Sequence, residues 1–491
     1  MGNAPRFSVP TKIKKTILLL TVPAFIVAFL GSGCSGSGAG GNASTDPITN
    51  PSPGGEGPAN PPPDDLTSVG IAGKTYYVAT NGSDSSAGTL AAPFRTIGMA
   101  AGVVKPGDTI EVREGTYAGG LAITSRGTQE AWIKIKPYQQ EHVIVDGAGA
   151  EVNMYFRDGS WSVDSQEPMH WIVEGLEIRG GNAYAVKIDA PFVRLVNNNI
   201  HGSRNDIVKL VRTANDVTIY GNEIHHNNAA PGTNAQGIDM TGPDRTWVAH
   251  NYVHDTVSIA IYSKGNAHNS LFENNRVENI ASRGIMLGQN TGAEFMKSGQ
   301  VYETYDGIIR NNLIINTSDA CLATASSFNV KIYNNSCYNA AGSRHGGIFV
   351  SNESELRQAG TNIEIKNNIV VTSGSDHPAV KIGPDAMTDM RTLHIDNNVY
   401  WTMNGSAPTF TWDDTAALFN VPVDRWRSAA GQDANSKLID PRYLNTSDLK
   451  LATGSPAVDA GIATDIVRFD FNGTARPIGA AIDIGAQEFG G

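Results

Sequence analysis

Lys264 and Arg283 lie about twenty residues apart, in Tyr262-Ser263-Lys264-Gly265-Asn266-Ala267 and Ser282-Arg283-Gly284-Ile285-Met286-Leu287-Gly288. Two cations held close repel one another unless an anion sits between them or a nearby acid shares the charge. A uronic acid unit would supply that anion. The lysine could then remove the proton next to the sugar carboxylate, provided neighbouring cations or desolvation favour its amine form. The arginine would hold the carboxylate or stabilise the enediolate-like charge that develops. His225, His226, His250 and His254 are grouped in sequence, and His226 is the candidate proton donor or base among them. Lys209, Asp239 and Tyr305 are candidate substrate contacts. Asp206, Asp239 and Asp244 fall on neighbouring repeats and could bind Ca²⁺ through hard oxygen ligands, although aspartates at turns usually bond to their own backbone.

These residues need a scaffold, and the chain advertises one. An asparagine followed two residues later by an apolar residue recurs at Asn198, Asn222, Asn251, Asn275, Asn312, Asn335, Asn368 and Asn398, at intervals of 24, 29, 24, 37, 23, 33 and 30 residues. A basal unit of 23 or 24 residues lengthened by insertions is a solenoid signature. Leucine-rich repeats are the rival, but the units lack the Leu-x-x-Leu-x-Leu pattern and any helical segment. They hold instead short alternating runs such as Val330-Lys331-Ile332-Tyr333 and Ile363-Glu364-Ile365-Lys366, each leading into Asn-Asn. The expected fold is all-β, a single-stranded parallel β-helix. The recurring asparagine is read as a stacked residue at a bend, bonding to its neighbours and taking the left-handed backbone there.

A second column reads Val186-Lys187-Ile188, Val208-Lys209-Leu210, Ile238-Asp239-Met240, Ala260-Ile261-Tyr262, Ile285-Met286-Leu287, Leu322-Ala323-Thr324, Ile348-Phe349-Val350 and Val380-Lys381-Ile382. By strand alternation the flanking residues point inward and the middle ones outward, which places Ile261 on the outer face and Tyr262 in the core. An outer row containing Ile, Met and Phe suggests a face covered by loops or touched by a ligand. Insertions at Asn227 to Gln236, Asn290 to Asp306 and Ser351 to Thr361 direct the search for a cleft to residues 200–310.

The ends carry a family resemblance. Tyr77 to Asp84, Gly88-Thr89, Pro93 to Ile97, Lys105 to Ile110 and Gly115 to Tyr117 resemble the opening segment of secreted right-handed parallel β-helix proteins, and Ser455 to Gly461 with Asp483 to Ala486 resembles their closing segment. That resemblance implies a right-handed helix, with a capping helix over Pro93 to Val104 and Thr109 to Val112 entering the first coil. The Lys264 and Arg283 pair is similar to the base and acid-side pair of β-helical lyases that cleave alginate or dermatan-type chains. The pattern departs where those enzymes place acidic calcium ligands before the lysine, since Ser258, Ile259, Ala260 and Ile261 offer none, and the four-aspartate cluster of pectate lyases is not matched either. The resemblance implies a polysaccharide lyase acting on an acidic polysaccharide by β-elimination. The alternatives are a noncatalytic glycan-binding or structural surface protein, a C5-epimerase and a glycoside hydrolase. A hydrolase needs two carboxyl groups flanking the sugar bond, and the Asp-Asp pairs are only Asp64-Asp65 and Asp413-Asp414.

The N-terminus reads as an export signal over residues 1–33: Arg6, Lys12, Lys14 and Lys15 precede the uncharged apolar run Thr16 to Leu30. Leu30-Gly31-Ser32-Gly33-Cys34 resembles a lipobox, although Leu30 lies four residues rather than three before the cysteine. An ordinary signal cleaved near Ser32 is the alternative. Residues 34–69 are a Gly/Ser/Pro tether with little to bury, leaving 70–491 for the solenoid. The protein is thus expected to be exported and held on an outer membrane or cell surface through lipidated Cys34, as a monomer. The four signal cations would leave without any acid, taking the formal charge from −11 to about −15 and arguing against a nucleic-acid partner. Cys321 and Cys337 are either bridged or buried as thiols.

Overall fold

A computed structural model describes residues 66–490, except 160–164, 231, 344, 357 and 414–417. The export signal, Cys34 and the tether up to residue 65 lie outside the described residues. The folded unit already includes Leu66, which the sequence reading gave to the tether. Leu66 packs on Val196, Trp247, Ala249 and Leu271, and its carbonyl accepts from the Arg194 guanidinium at 3.2 Å. Among the described residues no helix is long and apolar enough to cross a membrane.

Among those residues the strands form three parallel sheets of 14, 11 and 12 strands, here the first, second and third sheet. The chain visits them in a fixed cycle. Val193–Val196 lies in the first sheet, Asn199–His201 in the third and Val208–Leu210 in the second, and Thr218–Tyr220 then stacks on Val193–Val196. The third sheet was not resolved from sequence because many of its strands are three residues long, too short to show alternation.

Stacking in register turns each inward position into a column. Val186, Val208, Ile238, Ile261, Ile285, Leu322, Ile348 and Val380 pair in succession and are all fully buried. Each such side chain contributes about 1.5–3 kcal/mol by burial. Cys321 and Cys337 are joined by a disulfide with Cα atoms 6.3 Å apart, within this same core.

The bend between the first and third sheets holds the asparagine column. Asn198 Nδ2 donates to Asn222 Oδ1 at 3.0 Å, and the pattern continues through Asn251, Asn275, Asn312, Asn335 and Asn368 to Asn398. Each Oδ1 also accepts the backbone N–H of the preceding rung, as Asn312 does from Asn275 at 2.9 Å. The stacking is as the sequence suggested, but the left-handed residue is the one before each rung. That place is taken by Asn197, Gly221, His250, Asn274, Asn311, Asn334, Asn367 and Asn397. The rungs spend their amides inside the turn, and the preceding residue, usually another asparagine, absorbs the positive φ.

The helix near the N-terminus spans Ile97–Val103, shorter than the Pro93 to Val104 expected. Thr96 caps it by accepting from the Met99 N–H, and Ile97, Ala100 and Ala101 are buried. Phe94 is held instead by a bridge to Val78. The C-terminal segment lies on the outside of the bend: Asn334 donates to the Asp483 carbonyl and Ser336 Oγ accepts from the Ala486 N–H. Arg476, fully buried, clamps the segment through Glu488 and the Gly485 carbonyl.

Asn312→Ala would leave the Asn275 N–H without its acceptor in a dry turn, and would take one of two acceptors from the Asn275 side-chain amide and one of two donors from the Asn335 carboxamide oxygen. Urea unfolding of this variant is expected to show a loss of about 2–4 kcal/mol.

Candidate active site

The outer row of the second sheet runs Tyr155, Lys187, Lys209, Asp239, Tyr262, Met286, Ala323, Phe349 and Lys381 in continuous register. Tyr262 therefore takes the outward place assigned from sequence to Ile261, and Ile261 is core. The run Ile259 to Tyr262 is apolar at every position, so its phase could not be fixed by pattern. Tyr262, Met286, Ala323 and Phe349 pack with Ile259, Ala320 and Ala325 into a covered apolar cluster on this outer face. Two clefts hold candidate residues.

The first cleft, of 620 Å³, is lined by Tyr155, Tyr184, Lys187, Asp189, Asp206, Lys209, Arg212, Asp239, Thr241 and Lys264, with Asn234, Asn290, Thr291 and Phe295 from the inserted segments. The insertion after Asn290 is pinned beside the lysine. The fully buried Glu303 carboxylate accepts from the Gly265 N–H at 2.9 Å, the Thr291 N–H at 3.0 Å and the Thr291 hydroxyl at 2.5 Å. Phe295 stands exposed at the rim.

The cleft lysines differ in their partners. Lys187 is 3.1 Å from Asp189 and from the Tyr155 hydroxyl, and Lys209 is 2.6 Å from Asp239 and 3.9 Å from Asp206. Burial works against both charges, yet these acids outweigh it and raise both lysines above the usual range, so both are held as ammonium. Lys264 makes no ion pair among the described residues; its ammonium lies 5.1 Å from the Tyr262 ring. The two aspartates are split by the same surroundings. Burial and the charge of Asp239 push Asp206 up to about 8, while Lys209 and Lys264 overcome burial to hold Asp239 below its usual value.

Lys264 and Arg283 do not converge. Lys264 ends one second-sheet strand, whereas Arg283 lies before the start of the next, Ile285–Leu287, and extending the register puts them five residues apart, roughly 16 Å along the strand direction. Arg283 is buried over the Phe349 ring and paired with Glu353 at 2.5 Å and Asp319 at 3.3 Å. It lines the second cleft, of 640 Å³, with Asp319, His345 and Glu353; this cleft shares Asn234 and Asn290 with the first. His226 lies beyond the end of a third-sheet strand, away from both clefts. Tyr305 is in the first sheet, stacked on His268 and bonded to Gln300. Lys209 and Asp239 line the first cleft.

The calcium set is not assembled. Asp244 is 2.6 Å from Lys297 and accepts from the His268 N–H, apart from the other two. Asp206 and Asp239 already have the Lys209 ammonium between them, so this donor set does not suit a divalent cation that prefers six to eight oxygens. Sequence reasoning missed the Tyr155, Lys187 and Asp189 cluster and Arg212. The signal for Tyr155 was there: Val152–Phe156 alternates in phase with the second column, one repeat before the column was first recognised.

The fold is a right-handed parallel β-helix with a cleft lined by several lysines and aspartates against one sheet. Residues 76–248 match the family model described as the Pel9A-like right-handed β-helix region. The crystal structure of pectate lyase Pel9A superposes with a TM-score of 0.56 at 17% identity, covering 85% of this chain and 96% of that one. The structure of XylC with xylose gives 0.52 at 13% identity, covering 84% and 98%. Local sequence similarity is higher: 39% over 75 residues to the uncharacterized protein YwoF of Bacillus subtilis, and 41% over 73 residues to pectate lyase PEL9 of Emericella nidulans. These matches take in 15% and 14% of this chain and only 16% and 18% of the relatives' lengths.

The raised Asp206 gives a pH test. Between its ordinary value near 3.8 and about 8, the folded state holds a proton that the unfolded chain has lost, so this residue makes stability fall as pH rises through that window. Asp206→Asn keeps the acceptor for the Gln236 N–H and cannot ionise. Urea unfolding at pH 5, 6.5 and 8 is expected to show the variant gaining on the parent at each step.

Proposed function

We propose that the protein is a polysaccharide lyase that cleaves a uronate-containing glycan by β-elimination, with Lys264 as the base. The observation that carries this reading is the division of labour among the cleft lysines. Lys187 and Lys209 are fixed as ammonium by close ion pairs with Asp189 and Asp239, whereas Lys264 stands in the same cleft near the Asp239 charge but makes no ion pair within 4 Å among the described residues. Fixed cations suit a sugar carboxylate, and an unpaired amine suits proton abstraction.

In the proposed reaction the uronate carboxylate lies toward Lys187 and Arg212. The Lys264 amine takes the C5 proton, charge develops on the carboxylate, and the bond to the glycosidic oxygen at C4 breaks to leave a 4,5-double bond. The leaving oxygen takes a proton; Asp206, protonated at neutral pH, is the acid in the cleft suited to supply one. No step is routed through calcium, because Lys209 holds the position between the two aspartates. Export and anchoring through Cys34 would present the groove to extracellular polymer. A hydrolase is disfavoured here: Asp206 and Asp239 are too close for the 5–9.5 Å carboxyl separation of glycosidases, and in the second cleft Asp319 is held ionised by His345 and Arg283 despite its burial.

The full chain should be incubated with pectate, alginate, glucuronan and glycosaminoglycans while the ultraviolet absorbance of unsaturated uronate is followed. One polymer is expected to give a rising signal that falls away as pH rises past about 8 and Asp206 loses its proton, is unchanged by EGTA and drops about 10²–10⁴-fold in Lys264→Ala. Arg283→Gln should keep at least a tenth of the rate per folded molecule. A flat trace with deuterium entering C5 from heavy water would indicate an epimerase, and a flat trace without exchange would remove the catalytic reading.

A further inference from the structure

The third sheet carries a column of imidazoles on its outer face, none of which lines either cleft. His201, His225 and His254 pair in register on successive coils, with ring centroids 4.7 and 4.9 Å apart and planes within 11° of parallel. Beside the last of these, His226 and Asp255 occupy equivalent bend positions, both with left-handed backbone. One donor atom from each of His226, His254 and Asp255 lies within 4.8 Å of the other two.

We propose that His226, His254 and Asp255 form a binding site for a divalent transition-metal ion of the zinc class, with a fourth position open to solvent. His254 Nδ1 is 2.7 Å from Asp255 Oδ2, and His226 Nε2 is 3.9 Å from that same oxygen. Tetrahedral zinc holds nitrogen and oxygen ligands roughly 3.3 Å apart, a spacing between these two that small side-chain rotations reach. The surroundings supply what such ligands need on their far sides. His254 Nε2 faces Glu223 Oε1 at 3.2 Å and can donate its proton there. His226 Nδ1 lies 2.6 Å from His225 Nδ1; it can donate to that nitrogen while His225 Nε2–H donates to Asn199 Oδ1 at 2.9 Å. Asp255 Oδ1 accepts from Asn279 Nδ2 at 3.2 Å, leaving Oδ2 for the ion. One tautomer assignment satisfies every ring nitrogen in the group. Two imidazoles and one carboxylate suit zinc or its neighbours better than calcium.

The competing description is an imidazolium at His254 shared by Glu223 and Asp255, which needs no ion. Calorimetry separates the two. The full chain, without a polyhistidine tag and stripped with chelator, is titrated with zinc chloride. One equivalent is expected to bind with micromolar or tighter affinity, and the thermal midpoint should rise with zinc. His226→Asn and Asp255→Asn keep residue types that tolerate the left-handed bend, so both should fold with the parent's zinc-free midpoint while binding at least tenfold more weakly. Absence of binding by the parent, or binding unchanged in both variants, would overturn the proposal.

Discussion

In-register stacking of one coil on the next is the constraint from which the other features follow. A parallel coil must turn three times, and the sharpest turn carries polar backbone into a dry interior. The amide column from Asn198 to Asn398 meets that demand by bonding both along the stack and to the backbone beside it. Because every rung fixes the phase of the coil that follows, a residue's place in its repeat determines which face it occupies. Insertions can then grow from the bends without disturbing the columns.

The same regularity organises charge. Outward positions on neighbouring coils lie about 4.8 Å apart, so acids and bases placed in one column act on each other strongly. In the second sheet this yields paired, protonated Lys187 and Lys209 beside unpaired Lys264. In the third sheet it yields a histidine stack in which the middle ring is kept neutral. The Lys264 cleft and the Arg283 cleft are chemically distinct: the first gathers three lysines and Arg212, and the second holds Arg283 with Asp319 and Glu353.

Much of the architecture was legible because the asparagine spacing and the second column repeat many times over. The cleft was legible in part: Lys209 and Asp239 were found through outward phase, and Lys264 as a cation in the segment to which the insertions pointed. Arg283 was misplaced because twenty residues of separation fix the coil but not the position across the strand, and its partner Glu353 arrives from an insertion seventy residues away. Tyr262 was misread because four apolar residues in a row carry no phase. His226 and Tyr305 illustrate the converse: closeness in sequence to candidate residues says little when each coil distributes its side chains over three faces.

The central claim, that Lys264 faces a uronate held by fixed cations, is tested most directly by a crystal structure of the full chain with a uronate tetrasaccharide at a pH where the amine is protonated. Sugar is expected along the second sheet, with a carboxylate paired with Lys187 or Arg212 and C5 within about 3–3.5 Å of Lys264 Nζ. Sugar bound in the Arg283 cleft or on another face, with Lys264 out of contact, would contradict it.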